Sequence, residues 1–471
     1  MEQLKPEQSF RDQLSTVSKE GKRNWIYPKK PLGRFYNARN IVSTILLLIL
    51  IVTPFIKVHG HPFILFDFPD RNFILFSIPF GPHDFHLFVL AMIAVIVFII
   101  LFTAVFGRVF CGWACPQTIF MEMVFRKIEY WIEGDAYAQR RMDKAGWTKE
   151  KIFKKTLKHG IFFGISFLIS NFFLSYIIGI DKLWKIVTDP PSEHIAGLIS
   201  MLAFSAVFYW IFSYFREQVC TIVCPYGRLQ GVLLDQDSIV IAYDYKRGEP
   251  RGKIKKDEIQ IGLGDCINDK LCVEVCPTGI DIRDGIQLEC VNCTACIDAC
   301  DYIMDKVSRP RGLIRYASLN GIEKKSKFKF TPRMIGYSFL LTILVSILGY
   351  LLITRTDFNI NILRTPGMLF QEQPGNMISN LYDLDIINKT FHDAQIDVKL
   401  KNVNGQIKII GTNLLMKPQD NLEAKFLLLL PRSELKRMNT PVIIDVYSNG
   451  KLLQEVKTSF LGPMNNKEKE G

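Results

Sequence analysis

CINDKLCVEVCP (Cys266–Pro277) and CVNCTACIDAC (Cys290–Cys300) stand close together near the middle of the chain. Their spacing, Cys266-x5-Cys272-x3-Cys276-Pro277 and Cys290-x2-Cys293-x2-Cys296-x3-Cys300, is that of a polypeptide holding two iron–sulfur clusters. A cubane needs four thiolates converging on one small volume. A C-x2-C-x2-C loop wraps three around one face, and a distant cysteine supplies the fourth, so two such runs cross-ligate. Cys290, Cys293 and Cys296 then take Cys276, while Cys266 and Cys272 take Cys300. A zinc site or disulfide staples fit seven cysteines at this spacing poorly.

One position breaks the pattern. Asp269 stands where the first run should carry its second cysteine. A carboxylate is a hard, weak ligand for thiophilic iron, so this cluster is expected to have one labile corner. It is either [4Fe–4S] with an Asp269 or water ligand or [3Fe–4S] with that corner empty; the other is an ordinary [4Fe–4S]. Asp301 after Cys300, in place of the usual proline, touches no ligand.

The 471 residues are 48% hydrophobic and include 35 phenylalanines, with a mean hydropathy of +0.14. That is too apolar for one soluble domain. Apolar stretches at Ala38–Val58, Phe85–Phe106, Gly160–Ile180, Ile195–Phe215 and Met334–Thr354 are each long enough to cross a bilayer as a helix. Thr53 and Pro54 interrupt the end of the first. The polar, basic first 36 residues hold no cleavable signal.

Lys and Arg are unevenly shared among the connections. Eight lie between Lys5 and Arg34 and ten between Arg108 and Lys155. The loop between the first two spans has only Lys57 and Arg71, and that between the third and fourth only Lys182 and Lys185. The positive-inside rule therefore puts the N-terminus and the cluster module in the cytoplasm and the C-terminal part outside. It also accounts for the net charge of +12 without nucleic acid, for which no recognition motif exists. All eleven cysteines then face a reducing compartment.

Four of them form a repeat. Arg108 precedes Cys111-x3-Cys115-Pro116, and Arg216 precedes Cys220-x3-Cys224-Pro225, each after a membrane span. Thiols four apart share a helix face, and the proline marks where a new helix can begin. Helix N-termini and flanking arginines bias such thiols toward thiolate, so Cys111, Cys115, Cys220 and Cys224 are candidate redox or copper thiols. The bland alternative is four buried packing cysteines. Met121 and Met123 are soft donors nearby, though methionine on an apolar face is usually packing.

Beyond about Gly367 the chain changes to short runs rich in Val, Ile and Leu, among them Ile396–Leu400, Phe426–Leu430 and Val442–Tyr447. Asn404-Gly405 and Asn449-Gly450 are tight-hairpin signals, and the whole reads as a β-sandwich.

Two C-x3-C-P motifs at helix ends, the cluster module with Gly264-Asp265-Cys266 and Cys276-Pro277-Thr278-Gly279, Pro310-Arg311-Gly312-Leu313, and Asn388-Lys389-Thr390 opening the β part together resemble the CcoG/FixG family of cytochrome c oxidase accessory proteins. The resemblance implies a multi-domain chain: a polytopic α-helical membrane domain of five transmembrane helices, an inserted dicluster ferredoxin-like module, and a C-terminal immunoglobulin-like β-sandwich. On that reading residues 1–36 are a cytoplasmic arm and 37–215 a four-helix membrane domain. Residues 216–333 are a cytoplasmic segment with the module at about 259–308, 334–354 the fifth span, and 367–471 the outer domain. The family implies location in the bacterial inner membrane and a part in maturing cbb-type oxidases by reducing Cu(II) to Cu(I). Oxidase subunits or assembly factors would be partners, and the cytoplasmic electron donor stays unnamed. A quinol-oxidising membrane relay and a non-enzymatic assembly scaffold are the alternatives.

Overall fold

A long apolar run in lipid must pair its own backbone N–H and C=O groups, so it folds as a helix. The computed structural model describes residues 16–17, 20, 22–68, 72–253, 262–325, 329–411, 414–435 and 437–463. Among these, five helices are long and apolar enough to cross a membrane: Arg34–Phe55, Pro82–Phe106, Lys149–Ile178, Ile195–Phe215 and Pro332–Ile353. The chain divides into two compact units, residues 1–65 with 89–347, and residues 66–88 with 348–471. The expected start of the cluster module near residue 259 lies outside the described residues.

Two helix limits differ from the sequence expectation. The first helix starts at Arg34 and turns into a tight 3-10 turn at Thr53–Phe55, because Pro54 cannot continue the ladder; Lys57 and Val58 are extended. The third begins eleven residues before Gly160, at Lys149, where the Thr148 side chain accepts from the Lys151 N–H. Its basic first turns stay helical because they have partners. Lys155 pairs with Glu133 at 3.0 Å and Asp143 at 2.8 Å, and Lys158 with Glu133 at 2.9 Å. Beside them Glu129 accepts two 2.7 Å bonds from Arg216, the residue that ends the fourth helix.

Above this ionic floor the helices pack on aromatic side chains. Phe125 stacks on Phe212 at 4.6 Å and meets Phe162 edge-on at 4.8 Å. The Ser170 and Ser205 hydroxyls, 2.6 Å apart, join the third and fourth helices as small polar side chains do in membranes.

The cluster insert is closed by a two-stranded ribbon that the sequence reading missed. Val240–Tyr243 pairs antiparallel with Ile314–Ala317, and all four residues of the first strand are buried. Runs this short give no periodic signal.

In the second unit the sandwich begins at Phe358, earlier than the expected Gly367. We number its strands β1 (Phe358–Arg364), β2 (Gln371–Gln373), β3 (Met377–Asn388), β4 (Ala394–Leu400), β5 (Gln406–Ile410), β6 (Leu415–Met416), β7 (Asn421–Pro431), β8 (Asn439–Ser448) and β9 (Lys451–Leu461). One sheet runs β5-β7-β3-β1 with β2 on β3, the other β6-β4-β8-β9. Alternate residues face inward, so Ile360 and Ile362, Leu384 and Ile386, Phe426 and Leu428, and Val442, Ile444 and Val446 share one core. Asn449 and Gly450, with φ of 47° and 80°, make the expected tight hairpin between β8 and β9. Asn404-Gly405 does not make one. β4 and β5 lie in different sheets, and Gly405 is needed because a side chain there would meet Leu429 O at 2.6 Å. A hairpin of Asn72–Leu75 with Ile78–Phe80 also belongs to this unit, where buried Asp84 takes Arg355 at 2.9 Å and Lys389 at 2.8 Å.

Burial alone would raise the Glu129 pKa, but the charges of Arg216 and Lys158 outweigh it and hold the group down at about 2. Its contribution is therefore complete above the ordinary value of 4.5 and is lost as pH falls toward 2. Glu129→Ala strands the buried Arg216 and Lys158 and is expected to cost about 3–5 kcal/mol. Thermal unfolding of the detergent-solubilised protein by circular dichroism measures both effects.

Candidate electron-transfer site

Each cysteine loop turns tightly by placing left-handed residues between its ligands. Asn268 and Lys270 have φ of 57° and 64°, and Asn292 and Thr294 have φ of 53° and 66°. The two loops thus share one backbone pattern, in which Asp269 occupies the place Cys293 occupies in the other. Short helices follow, Leu271–Glu274 carrying Cys272 and Ala295–Lys306 carrying Cys296 and Cys300.

Two cavities result. One is lined by Cys272, Cys276, Cys290, Cys293 and Cys296, the other by Cys266, Asp269, Cys272, Cys300 and Arg283. Asp269 is exposed, and its Oδ2 accepts from the Leu271 N–H at 3.1 Å.

The residues fit iron–sulfur clusters on two counts. All eleven cysteines are free thiols, and among the described residues no three of them bring sulfurs within 4.8 Å. A single tetrahedral ion with bonds of about 2.3 Å needs sulfurs about 3.8 Å apart, so these sets suit a larger, polynuclear body. Burial also pushes Cys272, Cys290 and Cys300 up to about 12, with neighbouring thiols adding to it, so their thiolate form depends on a cation.

One thiol of each pair lies against the first cavity's wall. Cys111 and Cys220 pack with Val275, Val291, Cys293 and Ala299. Gly112 explains how the loops come so close. A Cβ there would lie 2.5 Å from Val291 O and 2.6 Å from Asn292 O, so backbone runs directly on backbone. Thr278 Oγ1, on the rim of the cavity holding Cys220 and Met121, is 3.3 Å from Cys276 Sγ.

Two details depart from the sequence reading. The thiols of each pair do not share one helix: Cys111 lies in Val109–Trp113 and Cys220 in the π-helical turn Val219–Val223, while Cys115 and Cys224 are extended residues before helices opened by Pro116 and Pro225. Nor are Cys111 and Cys220 biased toward thiolate. Burial raises both, Cys220 to about 12, and outweighs the Arg108 charge; Cys111 Sγ instead donates to Gln230 Oε1 at 3.1 Å. Sequence reasoning also passed over Arg39, whose Nε and Nη1 donate to Gly112 O at 3.0 Å and Cys293 O at 2.9 Å. Its signal was an arginine inside an apolar stretch.

Compared with known proteins, residues 215–319 match the 4Fe-4S dicluster domain family, 88–134 a 4Fe-4S binding domain, and 348–463 the IG-like fold at the C-terminus of FixG. Protein RdxA of Cereibacter sphaeroides is 35% identical over 387 residues, 79% of this chain and 81% of that protein. Protein RdxB of the same organism is 35% identical over 401 residues, 81% of this chain and 83% of that protein. Nitrogen fixation protein FixG of Rhizobium meliloti is 39% identical over 309 residues, 64% of this chain and 58% of that protein. The 4Fe-4S match over 88–134 contains just two cysteines, Cys111 and Cys115.

Gly112→Ala forces the Val291-Asn292 backbone away and is expected to empty the cavity of Cys290, Cys293 and Cys296 while the other keeps its iron. Iron-to-protein ratios with cluster spectroscopy check this.

Proposed function

The chain belongs to the FixG family of iron–sulfur electron-transfer proteins, and on that premise we propose that it reduces Cu(II) to Cu(I) for the maturation of a cbb-type haem–copper oxidase. The observation that carries this reading is the Gly112 contact, which sets the Cys111 loop against the wall of a cluster cavity, where Cys220 packs in the same group of side chains. A bound cluster supplies electrons one at a time. Cys276, Cys290, Cys293 and Cys296 hold the near cluster, and Cys266, Cys272 and Cys300 with Asp269 the far one. Cys111, Cys115, Cys220 and Cys224 receive copper as substrate, since Cu(I) prefers sulfur, and each bound thiol gives up its proton. Asp269, exposed and partly engaged by Leu271, leaves the far cluster a weak corner and a ready [3Fe–4S] form.

The lysine and arginine bias supports a bacterial inner-membrane protein with residues 1–36 and 216–333 in the cytoplasm, four spans in 37–215, a fifth at 334–354 and the β-domain outside. There the sandwich is free to meet oxidase subunits or assembly factors, while a cytoplasmic donor feeds the module. A second reading is favoured by the 4Fe-4S match over 88–134. In it the paired thiols ligate a cluster of their own in a quinol-oxidising relay.

Serine at Cys111, Cys115, Cys220 and Cys224 is expected to leave iron content unchanged and abolish copper reduction by the dithionite-reduced protein. Iron loss in proportion to the missing thiols favours the second reading, and wild-type copper reduction with iron content unchanged makes the thiols structural. Mild oxidation is expected to convert only the far cluster to a three-iron species, and Asp269→Cys to prevent it, as read by electron paramagnetic resonance.

A further inference from the structure

Arg39 lies in the first long helix, among residues apolar enough for lipid, and is only 4% exposed. A buried cation in such a helix is costly and marks a function when a partner can be named. Its partners are backbone carbonyls, Gly112 O and Cys293 O, and not an acid. Among the described residues no carboxylate lies within 4.0 Å of it. Its charge therefore stands uncompensated beside the loop of Cys290, Cys293 and Cys296. Arg108 adds a second cation to that side, its guanidinium on the Gln230 amide oxygen at 3.1 Å and on Leu288 O. Glu122 acts on the same loop with the opposite sign, but Arg126 engages it at 3.0 Å.

The far cavity is different. Arg283 faces Cys266 and Cys272, yet Asp281 cancels its charge through bonds of 2.8 and 2.6 Å. Asp269 lines that cavity, while Asp301, which follows Cys300, is paired with Arg34 at 3.2 Å. The near cavity thus has two cations, Arg39 and Arg108, beside the buried Glu289 that precedes Cys290, whereas the far one keeps the carboxylate of Asp269 once Arg283 is set against Asp281 and Arg34 against Asp301. Reduction adds an electron to a buried body, and a nearby cation favours the reduced form while an anion disfavours it.

We infer that Arg39 holds the reduction potential of the near cluster above that of the far one, so that electrons enter at the Asp269 end and leave beside Cys111 and Cys220. This rests on the cluster assignment proposed above and adds a direction to it. With both clusters bound, a one-electron cytoplasmic reductant would reduce the group held by Cys266, Cys272 and Cys300, and that electron would pass to the group held by Cys276, Cys290, Cys293 and Cys296 and then to Cu(II), giving Cu(I), with no proton or bond exchanged between the two. Arg39 is a positioning residue. It touches neither copper nor a thiol sulfur, and its bonds to Gly112 and Cys293 hold the thiol loop to the cluster loop while its charge biases the electron.

The test is a redox titration of the full-length protein followed by electron paramagnetic resonance, with Cys300→Ser identifying the far signal by its loss. Wild type should show the near cluster reduced first. Arg39→Gln should keep its iron and lower the near midpoint by at least a tenfold change in equilibrium constant, about 59 mV for one electron. The far midpoint should stay fixed and serve as internal control, and Arg39→Lys should restore most of the shift. An unmoved near midpoint with iron retained in Arg39→Gln overturns the inference, as does a far cluster that is reduced first in wild type. If Arg39→Gln and Arg39→Lys both lose the near iron, the residue is a strut and the inference also falls. Absence of two clusters in wild type would refute the underlying assignment instead.

Discussion

The carboxylate of Asp298, between Cys296 and Cys300, receives the N–H groups of Phe35 and Tyr36 at 3.1 and 2.8 Å. These are two of the donors that the start of any helix leaves unpaired, here the start of the first long helix. One acid thus fastens a soluble module to a membrane-length helix, and much else follows from the fit. Gly33 must be glycine, because its φ is 148° and a side chain would run into Asp298. Arg34 reaches Asp301 at 3.2 Å, and a turn further on Arg39 arrives beside Gly112 and Cys293. The helix sets where the module stands, and the module sets where the helix begins.

Much of this was legible because cysteine spacing and apolar length are strong local signals. The seven thiols of the module and all five long helices could be read directly. What failed were features decided by partners far along the chain. The basic start of the third helix looked like a loop until Glu133 and Asp143 were seen to balance Lys155 and Lys158. Asn404-Gly405 has the chemistry of a hairpin, but a close approach across the sandwich had already claimed that glycine. Arg108 suggested thiolates, whereas burial, which no local pattern encodes, proved the stronger influence on Cys111 and Cys220.

The two C-x3-C-P motifs show how a repeat can preserve geometry while hiding it. Spacing suggested one helix carrying both thiols. Instead each first cysteine lies within one turn and each second cysteine precedes another, with proline fixing the new start. The pairs can therefore spread their sulfurs along a corner and not along a face.

The ribbon of Val240–Tyr243 with Ile314–Ala317 has a consequence for biogenesis. It joins the ends of a loop of roughly seventy residues, a closure whose length-dependent entropy is about 4 kcal/mol. Once the ribbon has formed, that search is over before any metal arrives. The thiols of the module, scattered in an open chain, then share a confined volume and a raised local concentration. Iron loading becomes a contest between nearby ligands, and partly loaded chains stay primed for the next atom.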